Sequence, residues 1–440
     1  MVDEILSRRD FHKAGAASLT GAVSVAASGA SLGAAAPSNQ KRLGFIGVGN
    51  RGKQLLSAFL DHPDAKVVAL CDIYEPYWQR AQKQVGGKVE IYDDFRRVLD
   101  RKDIDAVVIA TPDHWHAVQM ILACQAGKDV YVEKPLSVTI REGRRMVDAA
   151  RKHNRVVQVG THRRSSRLYA DLVSRVTGGA LGKVTVARTY RLSNMFPKGI
   201  GKAPPSDPPA GLNWDMWLGP RPARPFQATI APYKFRWWDA YSSQIANWGV
   251  HYLDAIRWVL GEEAPASISA HGGRFAIDDD RTIPDTLEAV FEFASGRLAV
   301  FGQYEASSNP AIRSGEIEFR GTLGTAYSAE RSFEFIAERS GQFQKEIPRT
   351  TPVRVNSQDG DLTWEHARNF LDCIVSRNRP NADVETGHRS TTFAHLANLA
   401  LATRARLDWD AKNERVTNHP AANDLLDYEY REPWRSLQQG

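Results

Sequence analysis

The chain runs to 440 residues, 42% hydrophobic, 25% charged and 9% aromatic, a globular composition that excludes a disordered, collagenous or fibrous protein and gives length for two or three domains. Lysine and arginine total 57 against 51 aspartate and glutamate, a net charge of +6 with no block of like charge, so nothing asks for a nucleic-acid partner. Three widely spaced cysteines, Cys71, Cys124 and Cys373, rule out a disulfide framework or a cysteine zinc site.

Residues 7–11 read Ser-Arg-Arg-Asp-Phe, and after Lys13 no charge occurs until Lys41. This predicts a twin-arginine export signal over residues 1–36, cut near Ala34 to Ala36, and a periplasmic or extracytoplasmic location. The interval is mostly Ala, Gly, Ser and Val, too weakly apolar for stable membrane insertion.

From Lys41 the pattern is strand, glycine turn, helix: Leu43 to Ile46, then Gly47-Val-Gly-Asn-Arg-Gly52, then Lys53 to Leu60. Gly47 permits the tight turn and Gly49 the close approach of a diphosphate. Gly52 lets the helix pack, and the helix start around Asn50 and Arg51 supplies partial positive charge. The next apolar strand, Lys66 to Cys71, ends in Asp72, placed to accept from an adenosine ribose and to repel a 2′-phosphate, which favours NAD over NADP. Strands at 89–92, 106–110, 130–132 and 156–159 alternate with helices at 94–99, 117–126 and 141–153, so residues 41–160 predict a doubly wound parallel sheet. Ligands of such sheets lie beyond the strand ends. Thr111, Pro112, His114 and His116, with Glu133 and Lys134, are therefore candidates for the cofactor side, and Trp115 for the substrate side.

Residues 161–412 predict a second α/β domain: segments 183–190, 287–293, 297–304 and 315–320 alternate as antiparallel strands, and 363–376 and 389–404 have helical periodicity. Pro197 to Pro209 reads as a surface loop bordering the site, and 413–440 as an extended polar tail. Removing a hydroxyl proton needs a group that titrates near the working pH. Lys134, just past a strand, meets this if desolvated. A predicted helix over Ile245 to Leu260 places Asn247, His251 and Asp254 on one face, making His251 an acid/base or hydroxyl-binding group, Asn247 a substrate-orienting amide and Asp254 a substrate contact. Arg163 and Tyr190 are further substrate candidates. Six of the eleven tryptophans lie between 214 and 258 and suit a carbohydrate pocket or a core. Neither His251 with Asp254 nor His114 with His116 brings a third ligand, so no metal site is expected.

The motifs Gly47-Val-Gly-Asn-Arg-Gly52, Thr111-Pro-Asp-His-Trp-His116, Glu133-Lys-Pro135, Trp214 to Pro220 and Asn247-Trp-Gly-Val-His-Tyr-Leu-Asp254 together resemble the glucose-fructose oxidoreductase, inositol dehydrogenase and MocA (Gfo/Idh/MocA) family across the mature chain. The resemblance implies a Rossmann domain followed by an α/β domain with a large, open, mostly antiparallel sheet. It also implies a nicotinamide cofactor, a sugar, polyol or sugar-derivative substrate, and a homodimer or homotetramer formed through that sheet. Many family dehydrogenases carry an aspartate four residues before the active-site histidine, where this chain has Asn247, an amide that takes up no proton near neutral pH. The expected function is an NAD-dependent oxidoreductase with tightly bound cofactor. A redox-neutral glycosidase working by oxidation, elimination and re-reduction, and a non-catalytic sugar-binding protein, are the alternatives.

Overall fold

A computed structural model describes residues 40–343 and 349–438; the expected export signal lies outside the described residues. Six strands, Lys41–Ile46 (β1), Ala65–Cys71 (β2), Glu90–Tyr92 (β3), Ala106–Ile109 (β4), Asp129–Val132 (β5) and Val157–Val159 (β6), form a parallel sheet in the order β3-β2-β1-β4-β5-β6. β4 and β5 are wholly buried runs rich in valine, as a sheet covered by helices on both faces requires. The order reverses between β1 and β4, which opens a crevice at their carboxyl ends. Helix Glu75–Val85 between β2 and β3 was not expected from sequence. It buries only Ala81, so it carries no apolar stripe to read.

The second domain is an eleven-stranded sheet. Its central strand Val184–Asn194 (β7) runs parallel to Leu298–Tyr304 and antiparallel to Ile317–Gly321, and the other named pairs in the sheet are antiparallel. Helices Arg167–Thr177, Val250–Leu260 and Val384–Thr403 bury against one face through Leu172, Leu253, Phe393 and Leu396, which meet Phe291, Phe301 and Phe319 of the sheet. The expected two-domain α/β architecture is therefore present.

The chain also returns to the first domain. Phe370 of helix Leu362–Ser376 packs edge-on to Phe59 and Tyr131, with centroids 6.3 and 5.9 Å apart. The C-terminal segment corrects the expectation of an extended tail: Trp434 stacks on Phe95 at 6.0 Å and meets Trp115 edge-on at 4.9 Å. Tyr430 donates to Glu142 at 2.6 Å. Tyr430 and Trp434 dock the segment on the first domain while Val416, Ala422 and Leu426 are buried in the core of the second, so its apolar residues, not an extended polar character, set its path.

Candidate cofactor and active site

The carboxyl ends of the parallel strands open onto a cavity lined from both domains. Its floor is the turn after β1. Gly47 sits at φ +83°, and a Cβ there would lie 2.7 Å from the Thr111 amide nitrogen, so only glycine fits. A Cβ on Gly52 would run into the Gly47 carbonyl oxygen. Helix Asn50–Leu60 has Gly49 as its N-cap and no side-chain cap, which leaves its first amides available to an anion. Asp72 is half-buried at the end of β2, where its carboxylate accepts from the Val48 N–H at 2.8 Å and the Tyr74 N–H at 3.0 Å. Burial raises its pKa to about 6 against the pull of those amides, so it is ionised at neutral pH. A glycine cradle that a Cβ would fill, uncapped helix amides and a carboxylate on one cavity wall fit the diphosphate and ribose of a dinucleotide.

Past β5, Glu133 accepts from Arg51 Nε at 2.7 Å, tying the glycine turn to the end of that strand. Lys134 follows it into the cavity and donates from Nζ to the Asn247 carbonyl oxygen at 2.9 Å. Burial lowers the Lys134 pKa to about 8, opposed by Glu133 and Asp113. Residues Ile245–Gly249 form a π turn before the α-helix Val250–Leu260, where one regular helix was expected; such turns interrupt helices at functional sites. Asn247 lines the cavity, and its contact with Lys134 is through the backbone. His251 lies beside His162, with ring centroids 5.2 Å apart. Burial holds both imidazoles well below their usual pKa, helped for His251 by the Lys134 charge and for His162 by Arg51. Both are therefore neutral, and each has a buried, unpartnered Nδ1.

Thr111, Pro112 and Trp115 line the cavity, Trp115 on the Phe95 side with its indole N–H committed to the Met216 and Trp217 carbonyls. Several expectations are corrected. His114 is fully buried and bonds through Nε2 to the Trp217 carbonyl at 2.8 Å, and burial drops its pKa to about 3. His116 bridges the Pro135 and Thr111 carbonyls at 2.8 and 3.0 Å. Both position the turns that reach the cavity and do not face it. Asp254 is also fully buried, held by Arg164 at 2.9 Å and Ser390 at 2.5 Å, a structural ion pair closed to substrate. Arg163 is 5% exposed and paired to Glu316 at 2.5 Å. Tyr190 falls on the wrong face: Ala187 and Thr189 of β7 are the buried positions under the helices, so Tyr190 points to the open face, beside Tyr304.

Two features were missed. His162 follows β6, so the rule that marks residues beyond strand ends would have found it beside His251, and neither imidazole is among the residues that line the cavity. The cavity's other wall comes from the segment between Asn194 and Ile245: Leu212, Met216, Trp217, Tyr233, Phe235 and Arg236. This cap has its own core, in which Trp214 and Trp217 stack at 4.9 Å and Tyr241 packs edge-on at 4.9 Å. It is joined to the parallel domain by Asn213 N–H to the Ile73 carbonyl and Glu75 N–H to the Gly211 carbonyl, both 3.0 Å. Pro197 to Pro209, expected at the mouth, does not line the cavity; the later half of the same excursion does. Among the described residues, no group of three or more His, Cys, Asp or Glu could hold a metal, and no helix is long and apolar enough to cross a membrane.

The arrangement is that of a dinucleotide-binding cleft on a Rossmann sheet, closed by a second α/β domain. The chain matches the family model for the oxidoreductase family NAD-binding Rossmann fold over residues 41–161, and the model for its C-terminal alpha/beta domain over 171–286 and 329–436. It belongs to the Gfo/Idh/MocA oxidoreductase family. It is similar to alpha-N-acetylgalactosaminidase of Shewanella oneidensis, 36% identical over 119 residues that make up 25% of this chain and 26% of that one. It is also similar to inositol 2-dehydrogenase of Salmonella typhimurium, 31% identical over 158 residues, 35% of this chain and 47% of that one. The matched stretch thus spans 26% to 47% of the length of these curated relatives. The WlbA dehydrogenase from Bordetella pertussis, solved with NADH and UDP-GlcNAcA, shares the fold with TM-score 0.63 at 19% identity, over 84% of this chain and 99% of that one.

Proposed function

We propose that the protein moves a hydride between NAD and a secondary alcohol of a sugar, polyol or sugar derivative, with the cofactor held tightly. The observation that carries this reading is Lys134: a buried amine in the cavity beyond β5, drawn to a pKa of about 8 beside a neutral His251. The glycine turn, the Asn50–Leu60 helix start and Asp72 would hold NAD, which supplies the hydride acceptor when bound. Lys134 takes the hydroxyl proton of the substrate, because its amine changes protonation near neutral pH. The Asn247 carbonyl fixes its Nζ at 2.9 Å, and Glu133 is held beside it by its ion pair with Arg51. His251 offers the substrate hydroxyl a neutral imidazole that donates or accepts without adding charge. We place the enzyme outside the cytoplasm on the pattern of residues 7–41, and assemble it as a homodimer or homotetramer through the open sheet face that carries Tyr190 and Tyr304.

A redox-neutral glycosidase is the second reading. Its support is the likeness to alpha-N-acetylgalactosaminidase and the amide at position 247, which leaves proton handling to Lys134 and His251. The two readings separate on one screen: purified protein is offered free sugars, polyols and their aryl glycosides, and both NAD reduction and release of the aryl alcohol are followed. Reduction without release supports the dehydrogenase. Release without net reduction supports the glycosidase, and neither activity with any substrate refutes both.

A further inference from the structure

A cation that the reaction outlined above does not use stands next to the residue that holds Lys134. Along the π turn Ile245–Gly249, Asn247 lines the cofactor cavity and its carbonyl accepts from Lys134 Nζ at 2.9 Å. The next residue, Trp248, is 38% exposed. The Arg191 guanidinium carbon lies 3.9 Å from the centroid of the Trp248 ring, a stacking that fixes the guanidinium plane and leaves its N–H edges open. Through these contacts and ordinary bond lengths the guanidinium is at most about 15 Å from the Lys134 amine, a span that one sugar ring with a polar contact at each end covers. Strand parity places Arg191 with the fully buried Ala187 and Thr189, on the face of β7 that the helices cover. Trp248 and His251, three residues apart, share one side of the helix start, and His251 has an unpartnered Nδ1.

No carboxylate of the described residues claims Arg191, whose side chain makes no hydrogen bond or ion pair among them. Leu192 lies opposite Tyr304, and Thr189 opposite Ile317, so the acidic neighbours on the adjoining strands are Glu305 and Glu316. Glu305 is held by Arg281 and Glu316 by Arg163, each at 2.5 Å. A single guanidinium, planar and of unit charge, matches one carboxylate in bidentate geometry; a phosphate dianion calls for more than one cation. The indole beside it suits the apolar C–H face of a sugar.

We propose that Arg191 and Trp248 form the subsite for a carboxylate carried by the sugar, so that the substrate is a sugar acid. The inference deepens the hydride-transfer reading and rests on it for the reacting end. The carboxylate is a handle: Arg191 holds it, the ring lies along Trp248, and a hydroxyl reaches His251 and Lys134. It keeps its atoms and charge while the secondary alcohol gives its hydride to NAD and its proton to Lys134.

The test offers NAD-loaded wild type, Arg191→Gln and Arg191→Lys matched sets of hexuronates, their parent hexoses and the hexose 6-phosphates, with binding read by calorimetry and NAD reduction by absorbance. Wild type is expected to bind at least one uronate about 10- to 100-fold more tightly than its parent hexose, the range of one charge-assisted bidentate pair. Arg191→Gln should bring that ratio close to one, through KM rather than kcat, with no change in melting temperature. Arg191→Lys should keep part of the preference, and added salt should narrow it in wild type. Wild type with no preference for any uronate overturns the proposal. So does an equal loss of uronate and hexose in Arg191→Gln, which would make Arg191 a brace for the π turn. Preference for the 6-phosphates over the uronates overturns the carboxylate assignment. Uronate binding that depends on Arg191 but brings no NAD reduction upholds the subsite and counts against the hydride-transfer reading.

Discussion

Replacing Lys134 with methionine is expected to stabilise the fold while removing turnover. Burial lowers the Lys134 pKa from 10.5 to about 8 even with Glu133 and Asp113 pulling the other way, and in the unfolded chain the amine returns to 10.5. Between these values the unfolded state holds more protons than the folded one, so stability rises with pH across that window. The charged lysine costs about 3 kcal/mol at pH 7 and about 1 kcal/mol at pH 10. Methionine fills much the same space without charge, and the lost Nζ bond to the Asn247 carbonyl takes back about 1 kcal/mol. The net expectation is a gain of about 2 kcal/mol at pH 7 that vanishes by about pH 10, with turnover lower by about two to four orders of magnitude. Urea unfolding of both proteins at the two pH values, followed by tryptophan fluorescence, measures the difference. A methionine variant that is less stable at pH 7, or whose stability tracks pH as the wild type's does, would refute the buried-charge reasoning.

Three further outcomes follow from the same contacts. Alcohol oxidation should rise with pH through about 8 as Lys134 loses its proton, and Lys134→Arg, which stays charged, should be inactive across the range; a flat wild-type profile would assign the proton to another group. Asp72→Ser should shift the NAD to NADP affinity ratio toward NADP by about tenfold or more, since it removes the carboxylate that repels a 2′-phosphate; titration of both nucleotides checks it, and an unchanged ratio removes Asp72 from the ribose site. Trp434→Ala should destabilise the protein by about 3 kcal/mol, the scale for truncating a buried indole, and a loss under about 1 kcal/mol in urea unfolding would show that the C-terminal segment does not brace Phe95 and Trp115.

What could be read from sequence was what is local. The glycine turn, Asp72 and Lys134 each sit at a strand end defined by a short apolar run, and their spacing alone brings them to one crevice. The errors are of a different kind. Tyr190 was misassigned because strand parity depends on which face the helices cover, and that is set by Phe301 and Phe319 far along the chain. Asp254 shares a helix with His251, but its partner Arg164 arrives from the turn after β6, so the carboxylate is neutralised by a residue no helical spacing could reveal. His114 and His116 look like site residues because they follow β4, yet His114 Nε2 and the His116 ring nitrogens face backbone carbonyls away from the cavity. Arg236 was invisible for the opposite reason: the cap is held by stacked aromatics and carries no repeating pattern that would point its guanidinium anywhere.

The proposed enzyme is an NAD-dependent oxidoreductase that keeps its cofactor through the catalytic cycle. Under the proposed export outside the cytoplasm, where no soluble NAD pool replaces a reduced cofactor, hydride returns to a second carbonyl or to the same molecule. The most direct measurement is exhaustive dialysis of the purified protein, followed by addition of sugar or polyol donor and a carbonyl acceptor with no nucleotide, reading product formation and the absorbance of reduced nicotinamide in the protein. A retained cofactor predicts bound NAD near one per chain, turnover without added cofactor, and ping-pong dependence on the two substrates. Protein that emerges empty and works only with freely exchanging NAD would contradict it.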